Sequence, residues 1–264
     1  AGTDRLLFQG GVWREAARRL IVSRRRERRI HSAAADALST RTDARPDLAG
    51  MAAEHLLAAG RADEAVPLMT SAGRYSRRCG NLINAAEWLS RASASHVEGS
   101  ESADALLWEA LEARTVRGEL GADKAALEAL KDRASERRHH GLAARCEWAQ
   151  ATALVQRGAY QDALESCARG AALAQKDGSD ALARTCEQLR AFSLAKLGRQ
   201  APARALYHEL IDQLQQVGDR AGVAACQGGL ATVDILAGHH DEAIDHLRAA
   251  IATHRTTANR LEEV

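Results

Sequence analysis

Residues 143–176 read AARCEWAQATALVQRGAYQDALESCARGAALAQK, with an apolar stripe on each side of Gly158. Cys146 and Ala149 begin a series of apolar residues at three-to-four spacing, which gives a helix one apolar face. Gly158 follows at a point where a helix commonly ends, because glycine readily adopts positive φ. A second apolar stripe then runs through Cys167. The stretch therefore predicts two helices that are joined by a tight turn and packed as a hairpin.

The hairpin pattern recurs every 40 residues along the chain. The residues that share this step are Cys146, Cys186 and Cys226; Gly118, Gly158, Gly198 and Gly238; Trp108 and Trp148; and Leu127, Cys167, Tyr207 and Leu247. A period that several residue types obey is the signature of a repeat array. The unit near Gly118 fits the pattern less well, because Leu111 and Asp123 occupy positions that are small elsewhere, and Gly121 is the alternative turn there.

The composition agrees with a helical array. Aromatic residues make up 3% of the 264 residues and Pro occurs 3 times, which disfavours a strand-rich fold, whereas helix formers such as Ala and Leu dominate. We therefore predict an all-α protein of about thirteen helices, arranged as a right-handed α-solenoid of antiparallel helix hairpins with a period of about 40 residues. Residues 46–264 are expected to form this repeat array. Ala1 already lies in a plausible helix and is not Met, so we expect the chain to be a fragment of a longer protein.

The order of residues in each hairpin resembles a tetratricopeptide repeat. A small residue in the first helix, the turn glycine, Tyr160, Ala163 and a packing residue at Cys167 follow that motif in sequence. The resemblance is good over residues 140–257 and fair over 47–97. The chain departs from the family in its 40-residue step, against about 34 in the usual repeat, and in lacking the Pro after the second helix. The resemblance implies a domain that binds protein or peptide partners.

A second resemblance concerns the N-terminal part of the chain. Residues 6–38 read LLFQGGVWREAARRLIVSRRRERRIHSAAADAL and residues 47–60 read DLAGMAAEHLLAAG. They resemble the junction that follows the nucleotide-binding module of STAND signalling ATPases, through Phe8, Ser23, Arg24, Arg25, Arg26, His31, Ala35, His55, Ala59 and Gly60. Gly10 and Gly11 depart from that pattern. The resemblance implies that residues 1–45 end a winged-helix element, and that the array is the cytoplasmic sensor and oligomerisation arm of a transcriptional activator, nucleotide cyclase or kinase.

Several classes of function lack support in the sequence. There is no Gly-x-x-x-x-Gly-Lys-Ser/Thr loop, no Gly-x-Ser-x-Gly elbow and no His-Glu-x-x-His motif, so we expect neither catalysis nor a cofactor. No apolar run approaches the ~20 residues that span a bilayer. The five cysteines include no Cys-x-x-Cys pair, and we interpret them as free buried thiols in a reducing compartment.

Two clusters invite more specific hypotheses, which we weigh against simpler ones. His239 and His246 could share a helix face with Glu242, but no cysteine stands nearby, and histidines at turns are common. We therefore predict no metal site. The run Arg24–Arg29 could contact nucleic acid, yet 36 Lys+Arg are balanced by 35 Asp+Glu and stacking aromatics are absent. A solvated or domain-docking helix face explains the run better, which leaves a nucleic-acid-binding arm as the less favoured hypothesis.

The candidate binding site lies on the first helices of the hairpins. The side of each first helix that faces away from the core lines the concave groove in the repeats that this chain resembles. The predicted groove residues are Trp108, Glu112, Arg145, Trp148, Thr152, Gln188, Phe192 and Thr232. Exposed aromatic residues in a groove are typical binding anchors, but both Trp could instead fill gaps between hairpins. We expect a protein or peptide partner, a small-molecule inducer or self-association, with a static assembly scaffold as the alternative function.

Overall fold

The computed structural model describes residues 24–262, and every regular element in that range is helical. The α-helices are α1 Arg24–Ser39, α2 Ala49–Ala59, α3 Ala62–Arg78, α4 Leu82–Ala94, α5 Glu101–Arg117, α6 Lys124–Glu136, α7 His140–Gln156, α8 Tyr160–Lys176, α9 Asp180–Lys196, α10 Gln200–Gln216, α11 Arg220–Ala237 and α12 His240–Glu262. Two 3₁₀ turns, Pro46–Leu48 and Leu120–Asp123, precede α2 and α6. The all-α prediction is therefore confirmed, with twelve helices in the part that the structure describes. None of these helices is long and apolar enough to cross a membrane.

The helices end at the turn glycines that the repeat predicts. Gly158 has φ of +77°, and beyond it the Ala159 N–H donates a hydrogen bond of 2.9 Å to the carbonyl of Leu154. This backbone arrangement satisfies carbonyls that the helix end would otherwise leave unpaired, and it needs a residue that tolerates positive φ. In the irregular unit, Gly118 takes this role with φ of +77°, whereas Gly121 lies within the 3₁₀ turn. The alternative turn at Gly121 is therefore wrong.

Sequential helices pack against one another as hairpins. From α7 to α12, each helix contacts the next one along the chain, so each second helix lies between its own first helix and the first helix of the following hairpin. The first helices α7, α9 and α11 also contact one another in series. This sequential antiparallel packing is the arrangement that the repeat predicts. It brings one side of three successive first helices onto a common surface.

The chain divides into two compact units, Ala1–Arg114 and Thr115–Val264. Within the first unit, α1 packs onto α2, and the expected boundary between residues 45 and 46 stays a prediction. Ala35 of α1 is fully buried in the same core cluster as Leu56 of α2. The proposed winged-helix element includes residues 1–23, which lie outside the described residues.

Small residues allow successive hairpins to approach closely. Gly170 of α8 lies against Cys186 of α9, so that a Cβ at residue 170 would be 2.9 Å from the Cys186 Sγ. One repeat later, Tyr207 of α10 packs over Gly229 of α11, where a Cβ would lie 2.3 Å from the Tyr207 Cζ. Tyr207 is 2% exposed, so its ring has no solvent space to move into. At both contacts, a glycine on one helix therefore makes room for the side chain of the facing helix.

The cysteines are all free, and four of them are buried. Burial raises the pKa of the Cys167 and Cys186 thiols to about 12, so both remain protonated at neutral pH. Cys79 is exposed, because it directly follows the last residue of α3, and the expectation that all five thiols are buried is wrong at this position. The four buried thiols act as small apolar packing residues.

A buried carboxylate connects three helices of the second unit. Asp234 of α11 is fully buried, pairs with Arg204 of α10, and accepts a hydrogen bond of 2.7 Å from Nδ1 of His246 on α12. A buried charge is tolerated only where partners replace its lost hydration. His246, which sequence analysis considered as a metal ligand, therefore has a structural partner.

The Tyr207–Gly229 contact leads to a stability prediction. Gly229→Ala should lower the free energy of unfolding by ~1–3 kcal/mol, because the new methyl group overlaps the buried Tyr207 ring. Gly228→Ala is the matched control, since a Cβ there meets no atom within 4 Å. In the control, replacing a helical glycine should raise stability by ~0.5–1 kcal/mol. Urea unfolding followed by circular dichroism measures both, and equal effects of the two changes would contradict this packing.

Candidate partner-binding surface

Six of the eight predicted groove residues lie on three first helices that contact one another. Together they define the first-helix face: Arg145, Trp148 and Thr152 on α7, Gln188 and Phe192 on α9, and Thr232 on α11. All six belong to the unit Thr115–Val264. Because α7, α9 and α11 are in contact in series, residues at equivalent positions form adjoining rows across this unit.

Trp108 and Glu112 do not belong to this face. Both lie on α5 within the other compact unit. The Trp108 side chain is 4% exposed, so its ring offers no surface to a partner, and it fits the packing interpretation rather than the groove. The Glu112 carboxylate forms an ion pair with Arg77 of α3, at a distance of 2.8 Å. These two residues are therefore removed from the candidate site.

The aromatic residues of the first-helix face are only partly covered. Trp148 and Phe192 are both half-buried. Tyr160 meets the Phe192 ring edge-on at a centroid distance of 6.4 Å, and this contact holds the ring in place. Lys196 lies one turn further along α9, with its Nζ 5.3 Å from the Phe192 ring centroid. Partly exposed rings with fixed orientation are suited to bind apolar side chains at low entropic cost.

The polar residues of the first-helix face differ in whether their side chains already form hydrogen bonds within the chain. The Thr152 hydroxyl donates to the Trp148 carbonyl at 2.9 Å, and the Thr232 hydroxyl donates to the Gly228 carbonyl at 3.1 Å. Both hydroxyls are thereby used within their own helices, which leaves their methyl groups as the available surface. Arg145 is exposed, and Gln188 is half-buried. The face therefore combines apolar surface with positive charge from Arg145 and Lys196.

Sequence reasoning missed one apolar member of the same surface. Leu236 of α11 is 43% exposed, and it stands 40 residues after Lys196. The repeat step therefore carries the signal that could have found it. Leu247 is exposed for a different reason, because no first helix follows α12 among the described residues. Its repeat equivalents Cys167 and Tyr207 are 0% and 2% exposed beneath the next first helix, whereas Leu247 is 42% exposed on α12.

The other candidate clusters have structural explanations or lie elsewhere. Within residues 24–262, no group of three or more His, Cys, Asp and Glu side chains could hold a metal ion. His139 caps α7, with its Nδ1 accepting a hydrogen bond of 3.2 Å from the Leu142 N–H. The arginines of the run Arg24–Arg29 are exposed on α1, in the first unit, where four of them border a cavity of about 510 Å³ with Arg61.

Comparison with known proteins supports the repeat assignment. Residues 182–256 match the family model of the tetratricopeptide repeat. A search of curated protein sequences found no match. Two solved structures of nearly identical TPR-like repeats, from a Podosopora anserina protein named as a kinesin light chain, are similar to the chain. Each has 18% sequence identity, with TM-scores of 0.55 and 0.57.

The alignments cover 73% and 74% of this chain and 96% of each matched chain. At this identity the likeness concerns the fold alone. The matched family region lies within the part of the chain whose sequence resembles the repeat, and it includes most of α9, all of α10 and α11, and the first part of α12. The chain therefore has the fold of a tetratricopeptide repeat domain, and the family's repeat is matched within it over residues 182–256.

Proposed function

We propose that this chain is a non-catalytic recognition domain that binds a protein segment on its first-helix face. The observation that carries the proposal is the pair of half-buried rings, Trp148 and Phe192, on contacting helices of one unit. Tetratricopeptide repeats generally bind proteins, which supports the same conclusion. Aromatic anchors typically supply most of the binding free energy of such a surface.

The chemistry of the face also suggests what the partner segment contains. An apolar side chain of the partner would pack against Trp148 and Phe192. An acidic residue near it would meet Arg145 and Lys196, which are both exposed. Charges at the rim of an interface mainly steer association and choose the partner, whereas desolvated apolar contacts hold it. The expected ligand is therefore a short segment with an apolar anchor beside an acidic residue.

Peptides selected from a displayed random library on this chain provide a test. Trp148→Ala should weaken binding of a selected peptide about 30-fold, because loss of a central aromatic anchor costs ~2 kcal/mol or more. Arg145→Glu, at an exposed position, should weaken binding of acidic peptides and leave the circular dichroism spectrum unchanged. Ile244→Ala is the matched control, since Ile244 is 46% exposed on α12, away from the face. Equal binding by all three variants would refute the proposal.

A narrower role follows from the N-terminal resemblance. We infer that the array serves as the sensor and self-association arm of a cytoplasmic signalling or transcription-regulating ATPase of the STAND type. The support is that matched residues which are far apart in sequence meet in space: Nδ1 of His31 lies 2.7 Å from Nδ1 of His55. Burial, followed by the nearby His31, lowers the pKa of His55, so the His55 ring at this contact is neutral at neutral pH.

The narrower role is tested on the natural protein that contains this array. We expect it to carry a Gly-x-x-x-x-Gly-Lys-Ser/Thr phosphate-binding loop ahead of residue 1, and its oligomeric state to change with ATP, because nucleotide-bound modules of this type associate. Mass photometry with and without ATP is the measurement. A protein that remains monomeric in both conditions would remove the ATPase role, while peptide binding to the first-helix face would stand.

A further inference from the structure

Three side chains occupy one repeat position on successive first helices, namely Glu147, Glu187 and Gln227. Glu147 is 4% exposed and fully paired. Arg169, on the second helix of the same hairpin, donates a hydrogen bond to each carboxylate oxygen of Glu147, at 3.0 and 3.2 Å. Lys131 of α6 adds a second cation at 3.5 Å. In this hairpin the chain itself supplies the cations that a buried carboxylate requires.

The next hairpin keeps the carboxylate and loses these partners. Forty residues on, Arg169 is replaced by Glu209 and Lys131 by Ala171. Arg190 restores one contact, donating to Oε1 of Glu187 at 3.1 Å. The second oxygen, Oε2, is buried and has no hydrogen-bond partner among the residues that the structure describes. Leaving such an atom unpaired is costly, so the site is incomplete without a further donor.

Glu187 lines an open cleft between the N-terminal half of α9 and the C-terminal half of α10. Its volume is about 500 Å³, within the range of pockets that hold small ligands or single side chains. The charged and polar lining residues that matter here are Asp180, Arg184, Glu187, Arg190, Glu209 and Gln213. Three are carboxylates and two are cations, which leaves an excess of negative charge.

Arg184 and Glu187 indicate which chemical groups a ligand of the cleft would need. Among the described residues, the Arg184 Nε–H is also buried without a hydrogen-bond partner, so this lining side chain lacks an acceptor. Burial raises the pKa of Glu187, the neighbouring Arg190 only partly offsets this shift, and the nearby Glu209 adds to it. A cation with an adjacent hydrogen-bond acceptor satisfies both unpaired atoms.

We propose that this cleft binds an arginine side chain of a partner protein, with its guanidinium between Glu187 and Glu209. The bound group would take the position relative to Glu187 that Arg169 has relative to Glu147 in the preceding hairpin. The planar fork of a guanidinium matches a carboxylate in a way that an ammonium does not. The backbone carbonyl of the bound segment accepts the hydrogen bond from Arg184. This site uses residues that are distinct from the first-helix face, and it goes beyond the function proposed above.

The probe is the peptide acetyl-Ala-Arg-Ala-amide, titrated into the 15N-labelled chain and followed by NMR. We expect shifts at α9 and α10, and no binding by the peptide in which Gln replaces Arg. Glu187→Gln and Glu209→Gln should each weaken binding about tenfold or more, since each removes one charged partner of the guanidinium. Asp212→Asn is the matched control, because it removes an exposed carboxylate of α10 that does not line the cleft.

Glu209→Arg provides a second, independent readout. It places a guanidinium at the position of Arg169, so the chain should fill its own cleft, lose affinity for the peptide and gain melting temperature. Undiminished peptide binding in Glu209→Arg, or equal effects of Glu209→Gln and Asp212→Asn, would overturn the proposal. Equal affinity for free guanidinium and for the peptide would show that no protein segment is recognised. None of these outcomes depends on Trp148 or the first-helix face.

Discussion

Within the unit Thr115–Val264, each second helix packs closely against the first helix of the following hairpin, and this packing positions both the first-helix face and the Glu187 cleft. Gly170 opposite Cys186, and Tyr207 over Gly229, show two solutions of the same geometric problem, in which a small residue admits its neighbour. Interiors packed to this density do not tolerate an added methyl group without adjustment. Within this unit, the contact fixes how each hairpin sits on the next, because each repeat touches mainly its neighbours.

That stacking also creates the two surfaces on which function is proposed. It places α7, α9 and α11 in contact, so Trp148 and Phe192 belong to one face even though 44 residues separate them in sequence. The same stacking gives the cleft at Glu187 its depth, because α9 and α10 cover the carboxylate, while no described residue bonds to its Oε2. A repeat array can thus vary its chemistry one hairpin at a time, as the exchange of Arg169 for Glu209 illustrates.

The 40-residue period predicted the helix class, the hairpin packing and the turn at Gly158. Exposure was harder to predict, because it depends on neighbours that the period does not specify. Trp108 and Trp148 occupy the same repeat position, yet the first is buried and the second is half-buried. The Glu187 cleft could not be predicted from one hairpin, because its signal appears only when Arg169 is compared with Glu209 one repeat later.

A disulfide between α8 and α9 would test the stacking of hairpins most directly. In Gly170→Cys, the new Cβ would lie 2.9 Å from the Cys186 Sγ, close to the distance of about 3 Å that a disulfide imposes between Cβ and the distal sulfur. After mild oxidation, mass spectrometry of a proteolytic digest should find residue 170 linked to Cys186. An unlinked Cys186, with the new thiol free or joined to another cysteine, would contradict the account.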